Sequence, residues 1–268
     1  MTNEPTLTLL TGATGTLGRT LRPRLQDAGH DVRAASRSPP AEGGAPNPEW
    51  IELDLVDGTG LRSAVEDADV VVHAATAPRG DSEAVDVRGT ERLLEAAAAA
   101  GVDNFLYVSI VGVDEIPYSY YEHKLAAERA VEGSAVPSTI VRATQFHPFV
   151  HDLLDAVSRL PVWPLPTEFR LQPIDVREAA DAIVDHATAD PSGRVPPVGG
   201  PEVRTVGELA RTYRDAEGLR RPIVRFPIPG SVAGGFRSGA ALCPERTVGT
   251  VTWEEWVTAG EAESVRSR

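Results

Sequence analysis

Residues 118–124 read Tyr118-Ser119-Tyr120-Tyr121-Glu122-His123-Lys124, and Lys124 is the only lysine among 26 basic residues, all the others being arginine. Carbonyl reduction by hydride needs a proton donor at the nascent alkoxide, and the reverse reaction needs a base. A phenol with a pKa of about 10 is a sluggish base near neutrality. Lowering it by about three units takes about 4 kcal/mol. An ammonium about 4 Å away supplies a similar amount at an effective dielectric of about 20. Ser119 and Glu122 fit a capping box, with Ser119 as N-cap, so Tyr120 opens a helix and Lys124 lies one turn on, on the same face. Tyr121 is three residues before the lysine and Tyr118 precedes the cap, which leaves Tyr120 as the better partner. Lysine's rotatable donors also suit the ribose hydroxyls of a nicotinamide nucleotide better than the arginine fork does. The plainer alternative is a solvated lysine beside packing tyrosines, in a chain whose arginine bias reflects GC-rich coding. Ser109, eleven residues before Tyr120, ends an apolar run and is placed to polarise a carbonyl as an oxyanion donor does; a hydroxyl that caps the strand end is the competing reading.

Such chemistry needs a hydride source, and Thr11-Gly12-Ala13-Thr14-Gly15-Thr16-Leu17-Gly18 offers a place for one. Gly12, Gly15 and Gly18 lie between an expected strand and an expected helix. Glycine there permits positive φ and close backbone approach, and the start of the helix, with Thr14, Thr16 and Leu17, supplies free N–H groups to a pyrophosphate. The second strand ends Ala35-Ser36-Arg37, without the acid that would hold a ribose diol. Arg37 suits a 2′-phosphate and Ser36 can donate to it, so NADP(H) is favoured over NAD(H). Asp54 and Leu55, ending the third strand, are expected beside adenine. Small residues Ala74 and Ala75 after His73 leave room for the dinucleotide, with His73 read as a packing residue.

The elements that must carry these groups are legible as alternation. Strands are expected at 6–12, 31–37, 50–55, 69–76, 104–111 and 137–144, and helices at 16–29, 60–68, 83–100 and from 119 onward. Continuous apolar strands alternating with helices imply an α/β fold with a doubly wound, parallel, Rossmann-type sheet. Ligands bind outside the carboxyl ends of such strands, where the candidate residues fall. After His147 proline becomes frequent, with helices expected at 175–187, 205–214 and 253–257. The division expected is a dinucleotide-binding core over 1–146 and a smaller C-terminal part over 147–268 that contributes the substrate pocket. Phe146, His147, Phe149, Trp163, Phe169 and Gln172 are its candidate lining, and they serve equally as ordinary core. The segment 39–48 is expected to be a loop and the acidic stretch 254–263 a solvated helix end.

Composition narrows the partners. A formal charge of −13 leaves no basic footprint for nucleic acid. No apolar run is long enough to span a membrane, and the N-terminus lacks signal-peptide character. A single cysteine, Cys243, fits a reducing cytoplasm. His147 and His151 are spaced four apart, but Pro148 intervenes and no third ligand presents itself, so no metal is expected. The alanine-rich stretch 91–100 suits packing against a twin subunit in a homodimer or against its own sheet.

With Gly12-xx-Gly15-xx-Gly18, Asp54-Leu55, Ser109, Tyr120-xxx-Lys124 and the strand 139–146 in hand, the chain resembles the short-chain dehydrogenase/reductase superfamily over its full length. The resemblance is to the atypical branch, which includes NmrA-like and isoflavone-reductase-like proteins. It implies that Ser109, Tyr120 and Lys124 form a catalytic triad, and that Gly12, Gly15, Gly18, Arg37, Asp54 and Lys124 contact the cofactor. The T-G-x-x-x-G-x-G pattern of the shorter reductases is absent, and His73-Ala74-Ala75 stands where those enzymes have N-A-G. The activity expected is NADPH-dependent reduction of a small apolar or aromatic carbonyl, quinone or enone. A non-catalytic NADP(H) redox sensor is the alternative, disfavoured because a pure binder has no need of an acid at the nicotinamide. Sugar-nucleotide epimerisation fits less well, since the C-terminal part offers no uracil or pyrophosphate clamp.

Overall fold

A computed structural model describes residues 5–40 and 49–260. Most of the loop expected at 39–48 and the last residues of the acidic stretch at 254–263 lie outside those described. In chain order the elements are β1 (Thr6–Thr11), α1 (Thr16–Asp27), β2 (His30–Ser36), β3 (Glu49–Glu52), α2 (Leu61–Val65), β4 (Val70–His73), a π-helical turn (Glu83–Gly89) and α3 (Thr90–Ala100). There follow β5 (Asn104–Ile110), α4 (Ser119–Gly133), β6 (Ser138–Ala143), α5 (His147–Ser158), β7 (Trp163–Leu165), β8 (Arg170–Leu171) and α6 (Val176–Ala187). The chain closes with β9 (Gly193–Arg194), β10 (Arg204–Thr205), α7 (Val206–Ala216), β11 (Ile223–Arg225), α8 (Ser231–Ser238) and α9 (Trp253–Thr258).

These elements pack as two units. The first takes the described residues within 1–109, 119–142 and 180–196, and the second those within 110–118, 143–179 and 197–268. The first unit is built on a seven-stranded parallel sheet in the order β3-β2-β1-β4-β5-β6-β9. This is the doubly wound arrangement expected from the alternation of apolar strands and helices. The order reverses between β1 and β4, and a crevice opens at such a switch point. Leu9, Val71, Phe105 and Ile140 of the strands are buried with Ala64, Leu93, Ala97, Ala127 and Val131 of the helices. Leu93 and Ala97 therefore seat the alanine-rich helix α3 in its own unit's core.

The observed elements depart from expectation in several places: β4 is shorter than expected, β7 to β11 and α8 were not expected, and three further departures have a local cause. The third strand stops at Glu52, where the chain turns so that the Asp54 carboxylate accepts the Val56 N–H at 2.7 Å. The helix expected from Glu83 opens as a π-turn before it tightens into α3. Helix α5 was not expected, because Pro148 reads as a breaker. It falls in the first turn of α5, where its missing N–H costs nothing.

In the second unit α5, α7 and α9 enclose Trp163, Tyr213, Trp253 and Trp256, all buried. Helices α7 and α9 each start at a full capping box, Thr205 with Glu208 and Thr252 with Glu255.

Helix α4, which carries Tyr120 and Lys124, is fastened within the first unit by a buried ion pair. Glu128 has no exposed surface and accepts two bonds from Arg142 of β6, at 2.8 and 2.7 Å. Arg194 Nη2 lies 3.4 Å away. Removing Arg142 leaves the buried Glu128 with only the more distant, partly exposed Arg194 to compensate it. Arg142→Met is therefore expected to lower stability by about 3 kcal/mol in chemical denaturation, and a loss within error would show that the pair does not anchor α4.

Candidate dinucleotide and proton-transfer site

The glycine loop lies at the β1–β4 switch point. Gly12 has φ of +67°, and a Cβ there would come within 2.8 Å of the Ala75 backbone. A Cβ on Gly18 would collide with the Gly12 carbonyl at 2.1 Å. Both glycines are thus required by the protein's own backbone. Gly15 differs: a Cβ there would meet only the Gly12 carbonyl, at 3.2 Å. Gly15 is the N-cap of α1, no side chain caps that helix, and Thr14, Gly15 and Thr16 are exposed. The first-turn N–H groups of a helix lack internal partners and attract anions. An uncapped start with an open glycine fits a dinucleotide pyrophosphate. Leu17 is buried and holds α1 in place.

The remaining cofactor candidates surround this loop. Ala74 and Ala75 are partly buried after β4, and Ala75 N–H donates to Thr11 Oγ1 at 3.3 Å. Ser36 and the exposed Arg37 end β2, where Ser36 Oγ accepts the Ser38 N–H. Asp54 is partly buried with one oxygen committed to its own turn, and Leu55 is buried.

Lys124 is buried, 3% exposed, and its ammonium is held from three sides. Nζ donates to the Val108 carbonyl at 2.8 Å, lies 3.7 Å from Asp86 Oδ1 and sits 4.2 Å from the centre of the Tyr107 ring. Burial lowers its pKa from the usual lysine value, and Asp86, then Glu128, oppose that shift. A carboxylate therefore meets the ammonium directly and offsets part of its field at any neighbouring phenol.

Asp86 itself has no exposed surface. Its Oδ1 accepts the Thr76 hydroxyl at 2.6 Å and its Oδ2 accepts the Ala77 N–H at 3.0 Å. Thr76 Oγ1 is also 2.8 Å from the Tyr120 phenol oxygen. A hydroxyl has one proton, and a carboxylate can only accept. Thr76 gives its proton to Asp86, so the phenol of Tyr120 is the donor to Thr76. Tyr120 is partly buried and Thr76 exposed, so the phenol is reachable in its protonated, donating form.

The same reasoning orders the layer beneath. Thr90 donates to the Asp86 carbonyl at 2.7 Å, so its oxygen accepts from His73 Nε2–H at 2.9 Å. His73 Nδ1 then accepts from Thr11 Oγ1 at 2.7 Å. His73 is fully buried and held neutral: burial, helped by the Lys124 charge, lowers its pKa to about 3. The histidine read as a packing residue is a bridge between β1 and the helix that carries Asp86.

Ser109 ends β5 with its Oγ buried and without a hydrogen-bond partner. An orphaned hydroxyl of this kind calls for a ligand or a water. The substrate-lining candidates are distributed within the second unit. Trp163 and His147 have no exposed surface, and His147 packs against Trp253 and Trp256 at ring separations of 5.7 and 5.5 Å. Gln172 is also fully buried; it donates to the Gly200 and Cys243 carbonyls and accepts the Cys243 N–H. Phe146 is partly buried, Phe149 is 45% exposed, and Phe169 stacks on Phe236 at 5.4 Å.

Thr76 and Asp86 were not singled out from the sequence. A signal was present: Asp86, Thr90, Leu93 and Ala97 follow a helical period and are all buried, which put an acid on an inward face.

The fold and the loop define a Rossmann-type dinucleotide-binding protein. Residues 12–149, just over half the chain, match the NAD(P)H-binding family model, and the chain belongs to that family. A 3 beta-hydroxysteroid dehydrogenase/Delta 5-->4-isomerase of Mycobacterium tuberculosis is 34% identical over 160 residues, 49% of this chain and 43% of that protein. The divinyl chlorophyllide a 8-vinyl-reductase of Zea mays is 32% identical over 248 residues, 83% of this chain and 60% of that protein. The chain thus spans less than two thirds of the length of either relative. Among solved structures, an NADPH-dependent quinone oxidoreductase of Escherichia coli complexed with NADPH superposes with a TM-score of 0.78 at 18% identity, covering 94% of this chain and 99% of that one. A short-chain dehydrogenase/reductase superfamily protein of Agrobacterium tumefaciens with bound NAD gives 0.73 at 23% identity, covering 97% of each. At these identities the likeness is one of fold. Among the described residues no helix is long and apolar enough to cross a membrane.

The buried neutral imidazoles make stability depend on pH. His73, with its pKa lowered to about 3, and His147, lowered by burial to about 4, both lie below the unfolded value of 6.5. Their contribution is present above pH 6.5 and is lost as pH falls towards the folded values, because only the unfolded chain takes up the protons. Denaturant midpoints should therefore decline from pH 6.5 to pH 4, by ~1 kcal/mol per pH unit for each ring. A profile that is flat over this interval would show that the rings are not held neutral.

Proposed function

We propose that the protein is an NADPH-dependent oxidoreductase that transfers a hydride to a small apolar or aromatic carbonyl, quinone or enone, with Tyr120 as the proton donor. The observation that carries this reading is the direction of the Tyr120 hydrogen bond. Its phenol donates to Thr76, whose hydroxyl donates to Asp86, the carboxylate that meets the buried Lys124 ammonium, and it lies in the same unit as the open glycine loop. A donor in place suits reduction, in which a proton must reach the substrate oxygen as hydride reaches carbon.

In this reading the bound cofactor supplies the hydride, and the protein does the rest. Gly12, Gly15 and Gly18, with the N–H groups of the first turn of α1, hold the pyrophosphate. Lys124 turns one donor from the Tyr107 ring face to ribose hydroxyls, keeping Val108 and Asp86, and Arg37 with Ser36 takes a 2′-phosphate. The unpartnered Ser109 hydroxyl polarises the substrate oxygen, and Tyr120 delivers its proton there and is reprotonated from solvent. Two relatives lend support to redox chemistry: one is named for a hydroxysteroid dehydrogenase and one for a vinyl-reductase. The preference for the phosphorylated cofactor rests on Arg37 and on the lack of an acid at the end of β2.

Calorimetry with NADPH and NADH, followed by a carbonyl, quinone and enone panel monitored by NADPH absorbance, tests the assignment. Tyr120→Phe should lower kcat by about 10²-fold or more while NADPH affinity changes little; full activity would remove the proposed donor. Arg37→Asp should weaken NADPH about tenfold relative to NADH, and an unchanged ratio would place the 2′-phosphate elsewhere.

A further inference from the structure

Resting on the reading above and deepening it, we propose that Asp86 and Thr76 are positioning residues of this site. Asp86 is the counter-ion of Lys124, and by accepting the Thr76 hydroxyl it makes Thr76 an acceptor that fixes the Tyr120 phenol in its donating orientation. Three features carry this. Asp86 is fully buried, yet each carboxylate oxygen has a partner that belongs to the site or to the loop after β4: Thr76 and Lys124 on Oδ1, Ala77 N–H on Oδ2. It sits on a π-turn, a feature frequent at functional sites, and its carboxylate lies 3.7 Å from Lys124 of α4. Its main-chain carbonyl accepts from Thr90, which accepts from His73, so the turn that carries the carboxylate is fixed to β4, and the carboxylate itself is held by Thr76 and Ala77. A surface acid or a helix cap would show none of these.

The charged and titratable groups facing Lys124 are Asp86 from the π-turn, Glu128 from α4, Tyr107 from β5 and His73 from β4. Glu128 is committed to Arg142, His73 is neutral, and burial pushes the Tyr107 phenol well above its usual range. Asp86 is therefore the anion free to hold the lysine charged.

Because Lys124 is the chain's single lysine, protein grown on 13Cε-labelled lysine gives one side-chain signal, and its titration can be followed without cofactor or substrate. Asp86→Asn should move that titration down by about one pH unit or more, a tenfold loss of the charged fraction at a fixed pH above it. An unchanged titration would overturn the counter-ion role. A thermal double-variant cycle covers a poorly folding single variant. The loss in Asp86→Asn should be partly recovered by adding Lys124→Met, since the double variant buries neither charge; a double variant no more stable than Asp86→Asn overturns the pairing. For the phenol, Thr76→Ser should keep NADPH-dependent turnover and Thr76→Val should lower it about tenfold or more with NADPH affinity intact. Equal rates in the two would overturn the positioning role. Failure of NADPH binding in the native protein would sink the functional reading alone, because the lysine titration does not depend on it.

Discussion

A carboxylate with no exposed surface must have its lone pairs answered, or it destabilises the fold by several kcal/mol. Asp86 is such a group, and the answers come from two places: the loop after β4, through Thr76 and Ala77, and helix α4, through Lys124. The buried charge thus ties the loop after β4 to the helix that carries Tyr120, and the Asp86 main-chain carbonyl, through Thr90 and His73, ties the same turn to β1. It also bears on why the chain has a lysine where arginine serves everywhere else. The ammonium must reach a carbonyl, a carboxylate and a ring face within one small space. A compact tetrahedral cation does that, and a planar fork does not.

The pair changes the electrostatics expected from the sequence alone. A bare ammonium beside a phenol would favour phenolate, hence a base and the oxidative direction. With Asp86 opposite, the field is partly cancelled and the hydrogen-bond order runs from phenol to threonine to carboxylate. The resting site presents a proton. Membership of the NAD(P)H-binding family brings a nicotinamide cofactor to the fold, and the Ser109 hydroxyl near the end of β5 is buried without a hydrogen-bond partner.

Much of this was legible in the residues. Apolar runs marked the strands because a sheet covered on both faces leaves no polar alternation to confuse the period. The glycine loop was legible because two of its glycines are demanded by backbone contacts that no side chain tolerates. Tyr120 and Lys124 were legible through their one-turn spacing, although α4 begins at Ser119 itself. Asp86 and Thr76 were not singled out: the period 86, 90, 93, 97 turns Asp86 inward, but the roles of both arise from elements that meet only in the folded unit. The C-terminal half was harder for a different reason. Pro148 hides a helix, α5, that begins beside it. The aromatic residues of this half also look alike whether they line a pocket or, like Trp163, fill a core.

The claim most open to direct measurement is the order of the protons. Neutron diffraction from deuterated crystals at pH 7 should place the Tyr120 deuteron on the line to Thr76 Oγ1 and the Thr76 deuteron on the line to Asp86 Oδ1, with three deuterons on Lys124 Nζ. A Thr76 deuteron directed at the tyrosine oxygen, or a deuterated Asp86 beside a neutral lysine, would contradict the account.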